Sequence, residues 1–382
     1  MSANHLRSDV SPPMKDRGEN KMRLVFRMLV IASTISLSSI AARAEEGLTG
    51  HYFPGALSSS LDLLPALPPE LPAKTELGYT IGYANDSTYY HGSTNHLGSI
   101  PTSANATSYT DTSVFLCQFP GQISILPGKP QYSVALAVPY TWFKVHAQGA
   151  KDTDNGFGDV EMFPMMLNWT KYEVDPETYK YTWQNQMEFG IYAPTGNFES
   201  GAPANLGKNY WTFEPSAATG YSLAPHDWTQ YSLQLTASAG FDFNTKNGAT
   251  HYQTGDEFHL DGTLAAYRTL SEGAAFVGAG VSGFFYQQIT GDSGSGAKLG
   301  SFEAMTTGVG PDLSYISIHV YENENFTMGG ELKWLPELSV SNRLKGNIVW
   351  LKLVFTWGTF SKKSFEAITA PNVRALYAIP SL

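Results

Sequence analysis

The chain contains one cysteine, few charged residues and fewer basic than acidic residues. Its single cysteine, Cys117, excludes an intramolecular disulfide framework, and its position in a strand pattern favours a small packing residue over a nucleophile. Charged residues make up 15% of the 382 residues, whereas a soluble domain usually carries about 25%. The net charge of −10 argues against nucleic acid as a partner, because phosphate binding requires basic patches.

Long apolar runs and helical periodicity are also missing after Glu45. No segment there approaches the roughly 18 apolar residues of a transmembrane helix. The absence of helical periodicity argues against helix bundles and doubly wound folds. Residues 22–44 instead combine a positive start, a short apolar stretch and the small-x-small sequence Ala42-Arg43-Ala44. This pattern predicts a leader and secretory signal peptide over residues 1–44. An uncleaved N-terminal anchor helix is the alternative.

A long two-faced alternation is what the sequence does contain. From Tyr231 to Asn244, apolar or aromatic residues alternate with small or polar ones over 14 residues. Successive side chains of a strand point to opposite faces, so one face of this segment suits lipid and the other suits water. A tilted strand crosses a bilayer in roughly nine to eleven residues. The segment therefore predicts a transmembrane β-strand.

Such patterns recur along the chain and are separated by turn-rich tracts. A glycine count of 36 and an aromatic content of 13% suit a barrel with aromatic girdles. Hydrocarbon offers no partner to a free sheet edge, so the sheet has to close. We predict an all-β fold, a transmembrane antiparallel β-barrel of about 12 strands. The predicted strands are residues 76–83, 113–119, 131–142, 159–169, 183–192, 209–223, 231–244, 258–266, 274–289, 302–319, 326–334 and 347–357.

The remaining segments complete a domain plan for a protein of the Gram-negative outer membrane. Residues 45–74 form a lead-in, either a periplasmic arm or a plug, residues 75–357 the barrel, and residues 358–382 a C-terminal extension. The last strand ends in an aromatic residue, which is typical of the signal that barrel-assembly machinery reads. Within the barrel we predict a turn at residues 152–158 and long external loops at residues 85–110 and 197–208.

Charged and aromatic side chains on the predicted inner face are the candidate functional residues. They could set a selectivity field or offer stacking surface to a solute, or they could simply hydrate and neutralise the barrel interior. No catalytic, cofactor or metal site is predicted, because the nine histidines lack zinc-ligand spacing. The lumen candidates are Glu188, Tyr192, Asp242, His259, Asp261, Tyr286, Glu331, Lys333 and Lys352, and Arg268 lies near the same face.

Several stretches rich in glycine, asparagine and proline follow one another in a specific order. They are Asn155–Val160, Ala193–Gly196, Asn205–Pro215, Phe243–Asn247, Tyr252–His259, Tyr286–Gln288, Gly291–Ala297 and Gly308–Pro311. In order and spacing they resemble the phenol meta-pathway degradation family of outer-membrane proteins, often labelled transporters. The resemblance spans residues 50–357 and implies an outer-membrane barrel that passes small hydrophobic or aromatic compounds. It implies no particular binding residues.

Three functional hypotheses follow. The first is an outer-membrane channel or transporter for small hydrophobic or aromatic solutes, which is not an enzyme and whose partners are those solutes and membrane lipid. The second is an outer-membrane enzyme acting on lipid, for which His259 beside Asp261 and the loop at Ser293 are the candidates. The third is a structural or adhesive barrel that displays its loops.

Overall fold

The computed structural model describes most of the predicted barrel and a short part of the lead-in. The described residues are 50–57, 77–97, 100–147, 149–174, 179–225, 232–271, 275–298, 300–321 and 324–360. The predicted leader and signal peptide, most of the lead-in and residues 361–382 of the predicted extension lie outside them. Among the described residues, no helix is long and apolar enough to cross a membrane.

Thirteen β-strands are present in this part of the chain, and each pairs antiparallel with its neighbours in one sheet. Their bounds are β1 Leu77–Leu97, β2 Ile100–Gln118, β3 Gln131–Ala147, β4 Ala150–Phe157, β5 Val160–Val174, β6 Tyr179–Ala193, β7 Thr212–Pro225, β8 Ser232–Asn244, β9 Glu257–Ser271, β10 Ala275–Gln288, β11 Met305–Tyr321, β12 Glu324–Ser341 and β13 Lys345–Phe360.

The sheet closes on itself. β13 pairs with β1 from Leu77↔Phe360 to Ser93↔Lys345, and β1, β2 and β3 continue the ring. β3 then pairs with β4 near its end and with β5 nearer its start, so β4 and β5 form one wall strand interrupted at residues 158–159. The ring therefore has twelve wall strands, which confirms the predicted closed antiparallel barrel of about 12 strands.

The two faces of each strand separate as the alternation predicted. On β8, Gln234 and Thr236 are buried toward the lumen, whereas Leu233 and Leu235 point outward and are about half exposed. Large outward-pointing aromatic residues form a girdle near each end of the wall. An apolar outer surface between two aromatic girdles is typical of an outer-membrane barrel. The girdle residues are Tyr79, Trp183, Tyr221, Phe326 and Trp357 at one end and Trp142, Phe157, Trp211 and Phe243 at the other.

Two loop predictions are wrong. Residues 85–110, predicted as an external loop, continue β1 and begin β2, and the two strands pair from Thr80↔Gln118 to Leu97↔Ile100. Their outward faces carry polar residues that bond to one another, as Ser87 Oγ does to Asp111 Oδ1 at 2.5 Å, so the polar composition concealed the strands. Residues 152–158, predicted as a turn, belong mostly to β4.

The connections differ at the two ends of the barrel. The first strand begins and the last strand ends at the same end, where the longest described connection covers residues 119–130. At the opposite end, residues 194–211, 245–256 and 289–304 form the longest connections of the described chain. We call it the long-loop end, and because outer-membrane barrels carry their longer loops outside, it faces the cell exterior.

A charge on the outer wall tests the assignment of faces. Leu264 points outward in the middle of β9, where Leu235 and Val281 flank it on the neighbouring strands. Leu264→Arg is expected to destabilise the folded barrel by about 2–4 kcal/mol, because its charge would enter hydrocarbon. Thr112→Arg, which adds the same side chain beside the lumen cavity, is the control and is expected to cost less than about 1 kcal/mol.

Urea titrations of folding into lipid vesicles would measure both variants. Equal losses for the two substitutions, or a larger loss for Thr112→Arg, would contradict the assignment of faces.

Candidate functional site

Residues 50–57, the described part of the lead-in, lie inside the barrel near its long-loop end. The Tyr52 ring stacks on the His259 ring with centroids 3.9 Å apart, and the Tyr52 hydroxyl donates a hydrogen bond to Asp261 Oδ2. Burial raises the pKa of Tyr52, so its phenol stays protonated and remains a donor. Of the two predictions for the lead-in, an arm or a plug, these contacts favour the plug. We call residues 50–57 the inner segment.

The inner segment also crosses to the opposite wall. The Phe53 ring meets the rings of Tyr90 and Trp350 edge-on, with centroids 5.9 and 5.7 Å apart. The Lys333 ammonium donates a hydrogen bond to the carbonyl of Gly55 at 3.2 Å. Gly55 has a φ of +88°, and a Cβ there would lie 2.5 Å from Leu335 Cδ1, so only glycine fits this turn. The inner segment is thus held between β9 and the β12–β13 wall.

Asp159, at the interruption between β4 and β5, ties the inner segment to a loop. His51 Nε2 lies 2.8 Å from Asp159 Oδ2, and the backbone N–H groups of Gly196 and Lys208 donate to the same carboxylate at 2.8 and 2.6 Å. Desolvation by burial lowers the pKa of His51 despite the neighbouring carboxylate, so the ring is neutral near pH 7. Asp159 therefore organises both the 194–211 loop and the inner segment.

A group of three buried titratable side chains lies directly beneath Tyr52. Glu214 on β7, Asp242 on β8 and His259 on β9 each offer one atom, and these atoms lie within 4.8 Å of one another. His259 Nε2 is 3.4 Å from Glu214 Oε1 and 3.9 Å from Asp242 Oδ1. The space for the imidazole comes from Gly240, the cross-strand partner of His259, where a Cβ would lie 2.4 Å from the ring. We call these three side chains the lumen triad.

The rest of the lumen contains a cavity of about 530 Å³. It runs mainly along β1, β2, β3, β5 and β6 and also touches Phe53 of the inner segment. Every side chain that β2 and β3 contribute to it is uncharged, and many are small. Charge enters the lining at the Asp86–Lys352 pair, 3.7 Å apart, and at Asp159, Glu161, Glu188 and Lys208.

The structure places all nine predicted lumen residues inside the barrel. Tyr192, Glu188 and Lys352 line the cavity. Asp242 and His259 belong to the lumen triad. Asp261 and Tyr286 lie beside Tyr52 of the inner segment, and Glu331 and Lys333 lie on β12. Arg268, which was expected near the inner face, is exposed. The roles of the nine predicted lumen residues remain predictions. All of them except Tyr192 are buried, namely Glu188, Asp242, His259, Asp261, Tyr286, Glu331, Lys333 and Lys352.

Several residues of the site were missed by sequence reasoning. Glu214 and Asp159 lie within stretches that carry the family resemblance, which were interpreted as turn and strand-end geometry. His51 and Tyr52 precede the first strand, and no periodicity there predicts that they enter the lumen. Alternate residues of β7 face the lumen, and residue 214 is one of them. This alternation was the only signal that could have identified Glu214.

Comparisons with known proteins give one family match. The model of the family described as "Putative MetA-pathway of phenol degradation" matches residues 84–353. No curated protein matches the chain.

Three solved structures illustrate what this chain is similar to. An outer membrane channel from Pseudomonas putida F1 is 15% identical, with 76% of this chain and 98% of that chain covered and a TM-score of 0.45. The transport unit of the autotransporter AIDA-I from Escherichia coli is 10% identical, with 78% and 94% covered and a TM-score of 0.37. A Pseudomonas aeruginosa FadL homologue is 9% identical, with 76% and 91% covered and a TM-score of 0.23.

Removing the aromatic contacts of the inner segment tests whether these contacts keep the segment in the lumen. The double variant Tyr52→Ala/Phe53→Ala loses the stack on His259 and both edge-on contacts of Phe53. Each aromatic pair contributes about 0.5–1.5 kcal/mol beyond its buried area, so the segment should leave the lumen more often. Single-channel conductance in planar bilayers is expected to rise.

The control is Ile125→Ala, which changes a residue that is 89% exposed at the other end of the barrel. A double variant with the conductance of this control would show that the inner segment does not limit ion flow.

Proposed function

The chain belongs to the family of the MetA pathway of phenol degradation, and on that premise we propose that it is an outer-membrane channel for small hydrophobic or aromatic compounds. Passage would be by passive or facilitated diffusion. The observation that carries the proposal is the uncharged cavity wall of β2 and β3. A cavity of about 530 Å³ falls within the range of roughly 300–1,000 Å³ for small-molecule sites.

The lining of the cavity favours uncharged solutes that carry an apolar surface. Ala106, Val114 and Ala135 offer apolar contacts, while hydroxyl groups such as that of Thr112 can bond to a polar substituent. Phe53 adds an aromatic surface from the inner segment. A phenol needs both kinds of contact, and a fully charged solute would lose hydration that β2 and β3 cannot replace.

The inner segment gives this channel a narrow path. It packs against β9 and the β12–β13 wall, and the cavity that it borders runs mainly along β1 to β6. A solute that crosses the barrel therefore passes between the β2–β3 wall and the inner segment. Small movements of residues 50–57 would widen the path without any change in the barrel wall.

The enzyme hypothesis finds less support in the geometry. Asp261 Oδ2 accepts the Tyr52 hydroxyl, and His259 Nε2 faces the Glu214 and Asp242 carboxylates, so His259 and Asp261 do not form the acid–base pair that was considered. Ser293 lies in the 289–304 connection, where its backbone pairs with Gln253. We propose that the protein is not an enzyme, and no specific observation favours an adhesive role.

Blocking the cavity from one side of a strand tests the transport proposal. Ala135 lines the cavity, and its neighbour Leu136 points outward toward lipid. Ala135→Trp is expected to slow phenol entry into proteoliposomes by at least about threefold, because the indole fills the path. Leu136→Trp adds the same side chain on the lipid face and is expected to leave the rate unchanged.

The measurement is stopped-flow uptake of phenol and of benzoate into liposomes that contain the purified protein. If the wild-type protein does not admit phenol faster than protein-free lipid does, the uptake proposal fails. Benzoate is the charged comparison solute, and the protein is expected to accelerate its entry less than that of phenol. Equal rates for the two tryptophan variants would mean that solutes do not use this cavity.

A further inference from the structure

Several buried carboxylates lie close together on one wall of the lumen, formed by β7, β8 and β9, while others, such as Asp312 and Glu331, lie on β11 and β12. Asp242 and Asp261 are fully or almost fully buried on β8 and β9, and Glu214 and Glu257 lie close to them, while Glu161 lines the adjoining cavity. The buried lysines Lys333 and Lys352 lie on β12 and β13, across from this wall. An isolated carboxylate is costly to bury, so this concentration of negative charge calls for a compensating cation or for protons.

The lumen triad leaves ligand atoms available at the centre of this wall. In the described part of the chain, neither ring nitrogen of His259 has a hydrogen-bond partner, although its side chain is 0% exposed. Asp242 is also 0% exposed, and the side chain that neighbours its carboxylate is another carboxyl group, that of Glu257. Glu214 Oε2 accepts the Tyr192 hydroxyl at 3.0 Å, which leaves Oε1 turned toward His259. Buried polar groups normally find partners, so unsatisfied ones that converge on a point indicate a missing ligand.

We infer that Glu214, Asp242 and His259 bind a divalent metal ion of the zinc type. Ligand atoms about 2.0–2.1 Å from a tetrahedral ion lie roughly 3.3–3.4 Å apart. The Nε2–Oε1 separation of 3.4 Å matches that edge, and the Nε2–Oδ1 separation of 3.9 Å is longer, so Asp242 would move toward the ion on binding. One imidazole with two carboxylates is a donor set for Zn²⁺ or a related transition ion. Ca²⁺ instead prefers six to eight oxygen ligands.

The surroundings of the lumen triad fit a bound ion. Three neighbouring strands carry the three ligands, so the closed sheet holds them in place before the ion arrives. The Tyr52 ring covers the imidazole from the lumen side. Glu161 lines the cavity and flanks the same glycine, Gly190, as Glu214 does, so a cation entering from the cavity meets Glu161 before it reaches the triad.

The sequence predicted no metal site because no two histidines have ligand spacing. The proposed ligands instead come one from each of three strands, 28 and 17 residues apart along the chain, as the numbers 214, 242 and 259 show. Only the register of the barrel brings them together. The inference does not depend on what the channel transports, because it concerns a resident ion.

Cobalt binding is the most direct test, since Co²⁺ occupies zinc sites and absorbs visible light. Tag-free protein in detergent micelles, stripped with chelator, is titrated with Co²⁺ and then with Zn²⁺. The expected result is one cobalt per chain with ligand-field bands, displaced by one equivalent of Zn²⁺. Glu214→Gln and His259→Gln are each expected to weaken binding by at least about tenfold.

Asp312→Asn is the matched control. Asp312 is buried in the lumen wall on β11, away from the triad, and its Ser282 partner can also donate to an asparagine oxygen. This variant is expected to bind cobalt as the wild type does. A difference in gel migration between heated and unheated samples of each variant would show that its barrel is folded.

X-ray absorption at the zinc edge of the wild-type protein keeps the test decisive if a triad variant does not fold. A shell of nitrogen and oxygen neighbours with one imidazole supports the proposal. Absence of cobalt binding overturns it. Binding that persists in both triad variants, or a zinc shell without imidazole, also overturns it.

Discussion

Pairing of every backbone polar group within the sheet is the constraint on which the structure depends. Hydrocarbon supplies no partner for an exposed N–H or C=O group, so the wall has to close without an edge. β13 achieves this by pairing with β1 along most of its length. Once the ring is closed, strand alternation divides all other residues between lipid and lumen, and both the apolar band and the polar interior follow from it.

Closure creates a second problem, which is how to fill and neutralise a lumen lined by polar side chains. The inner segment meets part of this need: Tyr52 bonds Asp261, His51 contacts Asp159, and Lys333 binds the carbonyl of Gly55. The uncharged wall of β2 and β3 is left beside a cavity. The charged part of the interior thus anchors the segment, while the uncharged wall borders the cavity that we propose as the path for solutes.

The sequence was most informative where one face of a strand is apolar. β8, β12 and β13 were predicted because residues such as Leu233, Leu332 and Leu351 alternate with polar ones, and these three are exposed on the outer wall. β1 and β2 were partly missed because Asp111 and its neighbours on the outward face are polar, and Tyr109 and Ser87 bond to it. Polar side chains that hydrogen-bond to one another across the sheet give a strand the composition of a loop.

The candidate site was predictable only in part. Inward parity identified His259 and Asp242 one strand at a time, but not that Glu214 joins them, because β-register is a property of the assembled sheet. The inner segment was harder still, since its contacts with Tyr90 and His259 join parts of the chain that are distant in sequence. The stretches that carry the family resemblance supply Asp159, and this residue binds the segment as well as the loop.

The accessibility of side chains along β13 shows whether the barrel is closed, because this strand completes the ring. Spin labels would be placed one at a time at residues 349–357 in a Cys117→Ser background, and their collisions with oxygen and with a water-soluble nickel complex measured in liposomes. In a closed barrel, labels at Leu351 and Leu353 are expected to meet oxygen in the lipid, whereas labels at Lys352 and Thr356 are shielded from the lipid. Accessibility without a two-residue period, or in the opposite phase, would contradict a closed transmembrane barrel.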